Sequence, residues 1–511
     1  MRFTRLSTAL AFAVLLGVPA IGLGREKDKG KSKDETTTAE RQDYSDKDRK
    51  TLAEIAQRPE VQKEIEWAWQ VQRRKDIQEA FDTNTNKDGL VTIYPNPIVN
   101  DYVNTLGQRV VPKDSPNLYA FRLLLDPMPR AESLSTGTIY VSTGLVSMLD
   151  NEAQLAYILG HEIAHVERGH MYQRVRNPIL EAKLTEEKEK HAQKKKGLFT
   201  ALGAIAGATL GATTGGGGAN RALVGAEIGG LGAFAVSSIA IRNKFQPTEW
   251  DTVQEDEADE TGLGLMLDQK FDPREVPKTY ARLDSLVTRD TRVGLGFMGS
   301  KQRVKERTAN IERLIGGALK VRMDAQMQAG GLVGGSPEFA LLMSALKRDN
   351  GVVALDYDLF AMAKDNLQDA ANLRSNDPRV HYYLGKVASL TARTEEERQE
   401  AANQYLTAIR YDAKRGSYAE PHLQHALHLI KENNTLNQAE IQDELKAYVT
   451  LYQRQHAGAL PSNMYIIYDY FLLAGDMSWY VPPFGVVQTK YVDWPMPGGT
   501  AVARKAATPK P

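Results

Sequence analysis

The chain contains no cysteine among its 511 residues. That absence excludes disulfides, thiolate metal ligands and a lipid-modified cysteine behind an export signal. Histidine is scarce too, nine in all, so a metal site built on imidazoles has few sources. An excess of either charge is missing: 64 basic side chains balance 64 acidic ones. No global field favours nucleic acid or an acidic partner, and none is expected. Charge is uneven only locally, basic at Lys194–Lys196 and acidic at Glu255–Glu260. The N-terminal apolar run, roughly Leu6 to Leu16 behind Arg2 and Arg5, is short and broken by Pro19. It reads as a secretory signal rather than a membrane anchor, with small-residue cleavage sites at Val18–Ala20 and Gly22–Gly24. Residues 1–24 are therefore expected to be a signal peptide. Residues 25–45, rich in Lys, Asp, Glu and Thr, are expected to be a disordered leader. An export signal without cysteine suits a bacterial periplasm, with or without membrane association.

What is present is more specific. Leu159-Gly160-His161-Glu162-Ile163-Ala164-His165 carries an H-E-x-x-H motif inside an apolar, helix-forming run. On a helix His161 and His165 are i and i+4, so both imidazoles project from one face and can grip one metal ion. Glu162 stands beside them, placed to take a proton from water activated by that ion. Asp150 is a suitable N-cap, and Leu155, Ile158, Leu159, Ile163 and Val166 form a core-facing stripe. A catalytic zinc needs a third protein ligand and one open position. The H-E-x-x-H-x-x-G-x-x-H arrangement requires Gly at 168 and His at 171, where this chain has Arg168 and Met171. Gly169 and His170 are each one residue out of register, about 100° around a helix. The remaining source is a carboxylate. Glu255 and Asp259 share a helical face in Glu255-Asp256-Glu257-Ala258-Asp259-Glu260. Glu255 is the expected metal ligand, with Glu257 as the alternative. Asp259 is expected to reach a ligating imidazole and fix its tautomer. One Zn2+ per chain is the expected cofactor, although ligand type alone admits another divalent ion.

Length allows about three domains. A helical pattern begins at Asp46 and runs through Leu52, Ile55, Val61, Ile65 and Val71. Asn84–Gly89 resembles the start of a calcium loop, but Pro95 stands where the bidentate Glu belongs, so a polar turn is expected. Strands are expected at Tyr119–Leu125 and Thr138–Ser142. The second is placed to bind substrate backbone as a sheet edge, or to serve structure alone. Between the two halves of the motif, residues 197–241 form a glycine-rich segment with Gly203, Gly207 and Gly211 at four-residue spacing. A close-packed helical hairpin is expected there, as a lid over the site or a peripheral membrane contact; Glu227 argues against deep insertion. Residues 46–319 are the expected peptidase domain, and 320–336, with two Gly pairs, an interdomain linker. Residues 337–455 read as all-α. Leu384-Gly385 followed by Ala401, Tyr405 and Ala408 matches the tetratricopeptide helix-turn-helix. His422, His425 and His428 drift around one helix without an acidic partner pattern, so surface positions are expected. Residues 456–511 form an aromatic and Pro-rich tail.

Gly137–Leu145, Asp150–Ala156, the H-E-x-x-H and Glu255–Asp259 together resemble the CAAX-prenyl-protease/HtpX family of zinc endopeptidases over roughly residues 90–315. The resemblance implies that His161, His165 and Glu255 bind zinc, that Glu162 is the general base and that Asp259 supports the site. It implies an α+β, mainly helical fold: a gluzincin-type zinc peptidase domain followed here by a tetratricopeptide-like domain. An exported peptidase with such repeats further implies unfolded or misassembled envelope proteins as substrates. Outer-membrane assembly machinery is the implied partner of the repeats. Relatives often carry Thr-His-Pro before a helix ending in Arg-Ile-x-x-Leu. Here Glu306-Arg307-Thr308-Ala309-Asn310-Ile311 matches the helix, but Lys301-Gln302 replace His-Pro, which bears on regulation. The competing reading is a chaperone or scaffold that binds clients through its repeats beside a regulated or weakly active protease domain.

Overall fold

The computed structural model describes residues 44–85, 92–200, 250–289, 293, 301–432 and 438–474. The expected signal peptide, almost all of the leader, most of the Asn84–Gly89 turn, the 201–241 part of the hairpin and the tail beyond 474 lie outside the described residues.

The first helical pattern is two helices. α1 (Asp46–Ala56) is capped by the Ser45 side chain, which accepts from the Asp48 N–H. α2 (Pro59–Thr85) opens on a proline, a residue tolerated only where the first N–H has no helical partner. Both pack on the later helix α6 (His170–Thr200) through Ile55, Val61, Ile65, Leu180 and Leu184. α3 (Pro97–Val110) covers the sheet with Val99, Val103 and Leu106.

The sheet has four strands, β1 (Thr92–Ile93), β2 (Ala120–Leu125), β3 (Ala131–Ser133) and β4 (Thr138–Ser142), in the order β1-β2-β4-β3. β2 and β4 are parallel, and β1 and β3 pair antiparallel to them. Both expected strands form. Of the two readings of Thr138–Ser142, the sheet-edge one is corrected and the structural one fits, because the three-residue β3 occupies that side and is the outer strand there.

β4 runs straight into α4 (Thr143–Val146), whose cap is the Ser142 hydroxyl. α5 (Glu152–Glu167) follows, capped by Asn151 rather than Asp150. Beyond the undescribed segment come α7 (Thr252–Asp268), α8 (Val276–Arg289) and α9 (Lys301–Gly316). α5 is the central element. Every residue from Glu152 to His165 is buried, and α7 packs along it.

The expected linker 320–336 is not free chain. Its first half is α10 (Lys320–Gln328), seated by Met323. Its second half is tied to the preceding region: the Val333 N–H donates to Lys270 O at 2.8 Å, and the Ala153 N–H to Gly334 O at 2.8 Å. Three helix pairs follow, α11 (Pro337–Asp356) with α12 (Phe360–Leu373), α13 (Pro378–Thr391) with α14 (Glu395–Asp412), and α15 (Glu420–Lys431) with α16 (Gln438–Gln455). A Cβ on Gly385 would lie 2.6 Å from the Tyr405 ring, so the Gly and Tyr of the repeat pattern mark where α13 and α14 touch. α17 (Met464–Ala474) begins the expected tail, and its Met464, Ile467 and Phe471 join the core of the last pair. One apolar core runs from Tyr94 through Leu263, Leu283 and Ile311 to Phe339, Leu367 and Val387. Helices α11 to α13 thus share one core with the sheet and with α5, α7, α8 and α9. The fold is α+β and mainly helical. No helix among the described residues is long and apolar enough to cross a membrane.

Candidate metal centre

His161, Glu162 and His165 lie on α5, with relative exposures of 0%, 2% and 1%. The opposing carboxylates come from the first turns of α7. That helix is fixed by a capping box, in which the Asp251 side chain accepts from the Gln254 N–H and the Gln254 side chain from the Asp251 N–H. The helices meet at two glycines. A Cβ on Gly262 would lie 2.8 Å from the His161 backbone nitrogen, and one on Gly160 would lie 3.1 Å from Gly262 O. Only residues without side chains allow this approach.

The crossing brings together His161, His165 and Glu255, with donor atoms all within 4.8 Å of one another. His161 Nε2 is 3.1 Å from His165 Nε2 and 3.4 Å from Glu255 Oε2. Two donors at about 2.0–2.1 Å from one tetrahedral zinc ion are about 3.3–3.4 Å apart, so the donor set and its spacing fit zinc. Glu257 does not join the cluster; its carboxylate meets His170 Nε2 at 3.3 Å. Asp259 lies where a supporting carboxylate belongs, 2.9 Å from His161 Nδ1.

Three supporting side chains had no assigned role in the sequence. Arg307, on α9 and 1% exposed, donates to both Asp259 oxygens, from Nε at 2.8 Å and Nη2 at 2.6 Å. Its Nη1 is 2.9 Å from Glu255 Oε2. The Tyr157 hydroxyl donates to Asp259 Oδ1 at 2.7 Å and meets the Tyr280 hydroxyl at 2.7 Å. Two signals point to them. Tyr157 is one turn before His161 on the same helix, and Arg307 interrupts the apolar stripe of Val304, Ile311 and Leu314.

The electrostatics follow from this packing. Burial works to raise the Asp259 carboxyl, but the Arg307 guanidinium holds it well below the usual carboxylate range. Burial also lifts Glu162, to about 7, against the pull of His161. Its Oε2 is buried without a hydrogen-bond partner among the described residues. His165 is pushed below its ordinary value by burial and then by the charges of His161 and His170. A carboxylate near 7 beside two clustered imidazoles can exchange a proton with water at neutral pH.

The other histidine cluster departs from expectation. His425 is buried. His422 and His425 both face Glu444 of α16, at 2.5 and 3.4 Å, and His428 faces Glu432 at 2.8 Å. The carboxylate that unites His422 and His425 comes from the following helix, which local spacing does not reveal.

Residues 107–315 match Peptidase family M48. A protein from Vibrio cholerae serotype O1 is 25% identical over 190 residues, covering 37% of this chain and 33% of its own. The beta-barrel assembly-enhancing protease of Yersinia pestis is 26% identical over 191 residues, covering 37% and 33%. The protein of the same name from Escherichia coli O157:H7 is 24% identical over 197 residues, covering 38% and 34%. The chain spans about a third of the length of these curated relatives. The matched span contains α5, α7 and nearly all of α9, the helix that carries Arg307.

Proposed function

We propose that the chain is an exported zinc-dependent metalloendopeptidase of envelope or outer-membrane protein quality control. The observation that carries the chemistry is the convergence of His161, His165 and Glu255 from two helices beside buried Glu162. A zinc ion held by those three side chains supplies Lewis acidity toward water and toward a scissile carbonyl. Glu162, lifted to about 7 by burial, accepts the proton of the attacking water and returns it to the leaving amine. Asp259 accepts from His161 Nδ1, which leaves Nε2 free to act as a donor atom. Arg307 neutralises the carboxylate pair without entering the reaction. Of the two outer strands, β3 is the one that packs beside α5, so its backbone edge is the surface along which an unfolded substrate extends.

The cellular role is supported by the apparent export signal and by the names of the relatives. Within this reading, the helix pairs from α11 onward are tetratricopeptide-like repeats that hold misassembled envelope proteins or contact outer-membrane assembly machinery. The location is periplasmic, and the glycine-rich composition of residues 197–241 supports a peripheral membrane contact. The test is hydrolysis of an unfolded protein by the purified chain, with and without a chelator, beside Glu162→Gln. Chelation and the substitution are each expected to abolish cleavage, the latter by about 10²–10⁴-fold. Undiminished cleavage by the variant rejects the mechanism. Full cellular function of that variant marks the chain as a scaffold instead.

A further inference from the structure

His161 has a carboxylate directly behind it, whereas among the described residues His165 has a histidine there instead. His165 Nε2 faces His161 Nε2, toward the donor cluster. Its other nitrogen, Nδ1, lies 2.8 Å from His170 Nδ1. His170 is fully buried and is the first residue of α6. Gly169 adopts a left-handed φ of 63°, which turns the chain sharply between α5 and α6 and brings the His170 ring back onto His165. The rings meet edge-on with centroids 4.9 Å apart. His170 Nε2 in turn meets Glu257 Oε2 at 3.3 Å. Trp250 stacks on His165 at 4.4 Å between centroids, so the His165 ring is held by its face as well as its edge.

We propose that His170 and Glu257 are positioning residues that fix the tautomer and orientation of His165 for metal binding, a role that rests on the zinc reading above. Two ring nitrogens 2.8 Å apart cannot both donate; one carries the proton and the other accepts it. A His165 whose Nε2 lone pair is reserved for a metal carries its proton on Nδ1 and donates it to His170 Nδ1. Neutral His170 then carries its own proton on Nε2 and donates it to Glu257. The hydrogen bonds run in one direction, from the metal ligand to a carboxylate at the surface, and each nitrogen is used once. His161 reaches its carboxylate in one step and His165 in two. The residue that is one place out of register for a third histidine ligand thus acts behind the second.

The test uses the full-length chain, titrated with zinc against a chromophoric chelator, as wild type, Glu162→Gln, His170→Phe and His170→Asn. Phe fills the space without accepting a hydrogen bond, and zinc affinity is expected to fall about 10–100-fold. Asn offers an oxygen to His165 Nδ1 and is expected to restore most of that loss. Equal affinity of His170→Phe and wild type overturns the relay, and so does an Asn variant as weak as the Phe variant. Nitrogen-15 spectra of the histidine-labelled, zinc-loaded wild type decide the matter without any variant. His170 is expected to carry its proton on Nε2, and a proton on its Nδ1 overturns the proposal. Failure of wild type and Glu162→Gln alike to bind zinc instead refutes the metal reading itself.

Discussion

Arg307 makes both acidic side chains of the site tolerable. Glu255 and Asp259 stand one helical turn apart in the interior, and two like charges there repel and lose hydration. One guanidinium bonds bidentately to Asp259 and also reaches Glu255, a fork geometry that lysine cannot reproduce. Arg307→Met removes the guanidinium that the buried Glu255 and Asp259 carboxylates share. Unfolding in denaturant is expected to register a loss of about 3–5 kcal/mol, with little recovery in Arg307→Lys. A loss within experimental error contradicts the assigned role. At this scale the sequence was readable in part. His161, Glu162 and His165 are legible because they sit within five residues on one helix. Glu255 and Asp259 are legible because four-residue spacing puts both on one face. Tyr280 and Arg307 are harder, since they come from α8 and α9 and only the third dimension joins them to α7.

The element that positions everything is the crossing of α5 and α7. Gly262 lies against the backbone of His161, and that contact sets how far Glu255 and Asp259 reach toward the imidazoles. Gly262→Ala pushes the helices apart, because the obstacle is backbone rather than a movable side chain. The expected cost is about 1–3 kcal/mol in chemical denaturation, accompanied by weaker zinc binding. A variant as stable and as tight as wild type shows that the crossing distance is not limiting. Elements were legible where their periodicity is strong, as in α5, β2 and β4. β3 has three residues and its own pattern is too short to read, so the sequence leaves open whether its neighbour β4 is an edge or an internal strand. α10 is mostly polar and its sequence resembles a linker beside the two Gly pairs. Met323 and the backbone pairing that follows hold it in place.

Across the whole molecule, the region that carries the metal-site residues and the helical region that follows are less separable than composition suggests. Lys347 of α11 donates to Ser147 O and pairs with Asp369 of α12 at 3.1 Å. Asn350 bonds to Ser147 and Thr143 at 3.1 and 2.8 Å. Phe339, Met343 and Leu346 lie in the common core, each worth about 1.5–3 kcal/mol when buried. A chain ending at Gly335 is expected to melt at lower temperature than the full chain, or to aggregate. Calorimetry showing an unchanged transition for the shortened chain contradicts a shared core.

The central claim is that His161, His165 and Glu255 hold one metal ion between α5 and α7. Anomalous diffraction at the zinc edge from crystals of the zinc-loaded chain tests it most directly. The expected result is one peak bounded by His161 Nε2, His165 Nε2 and the Glu255 carboxylate. The contradicting result is no peak there while zinc is bound elsewhere, or an ion held by the two histidines with Glu255 turned away.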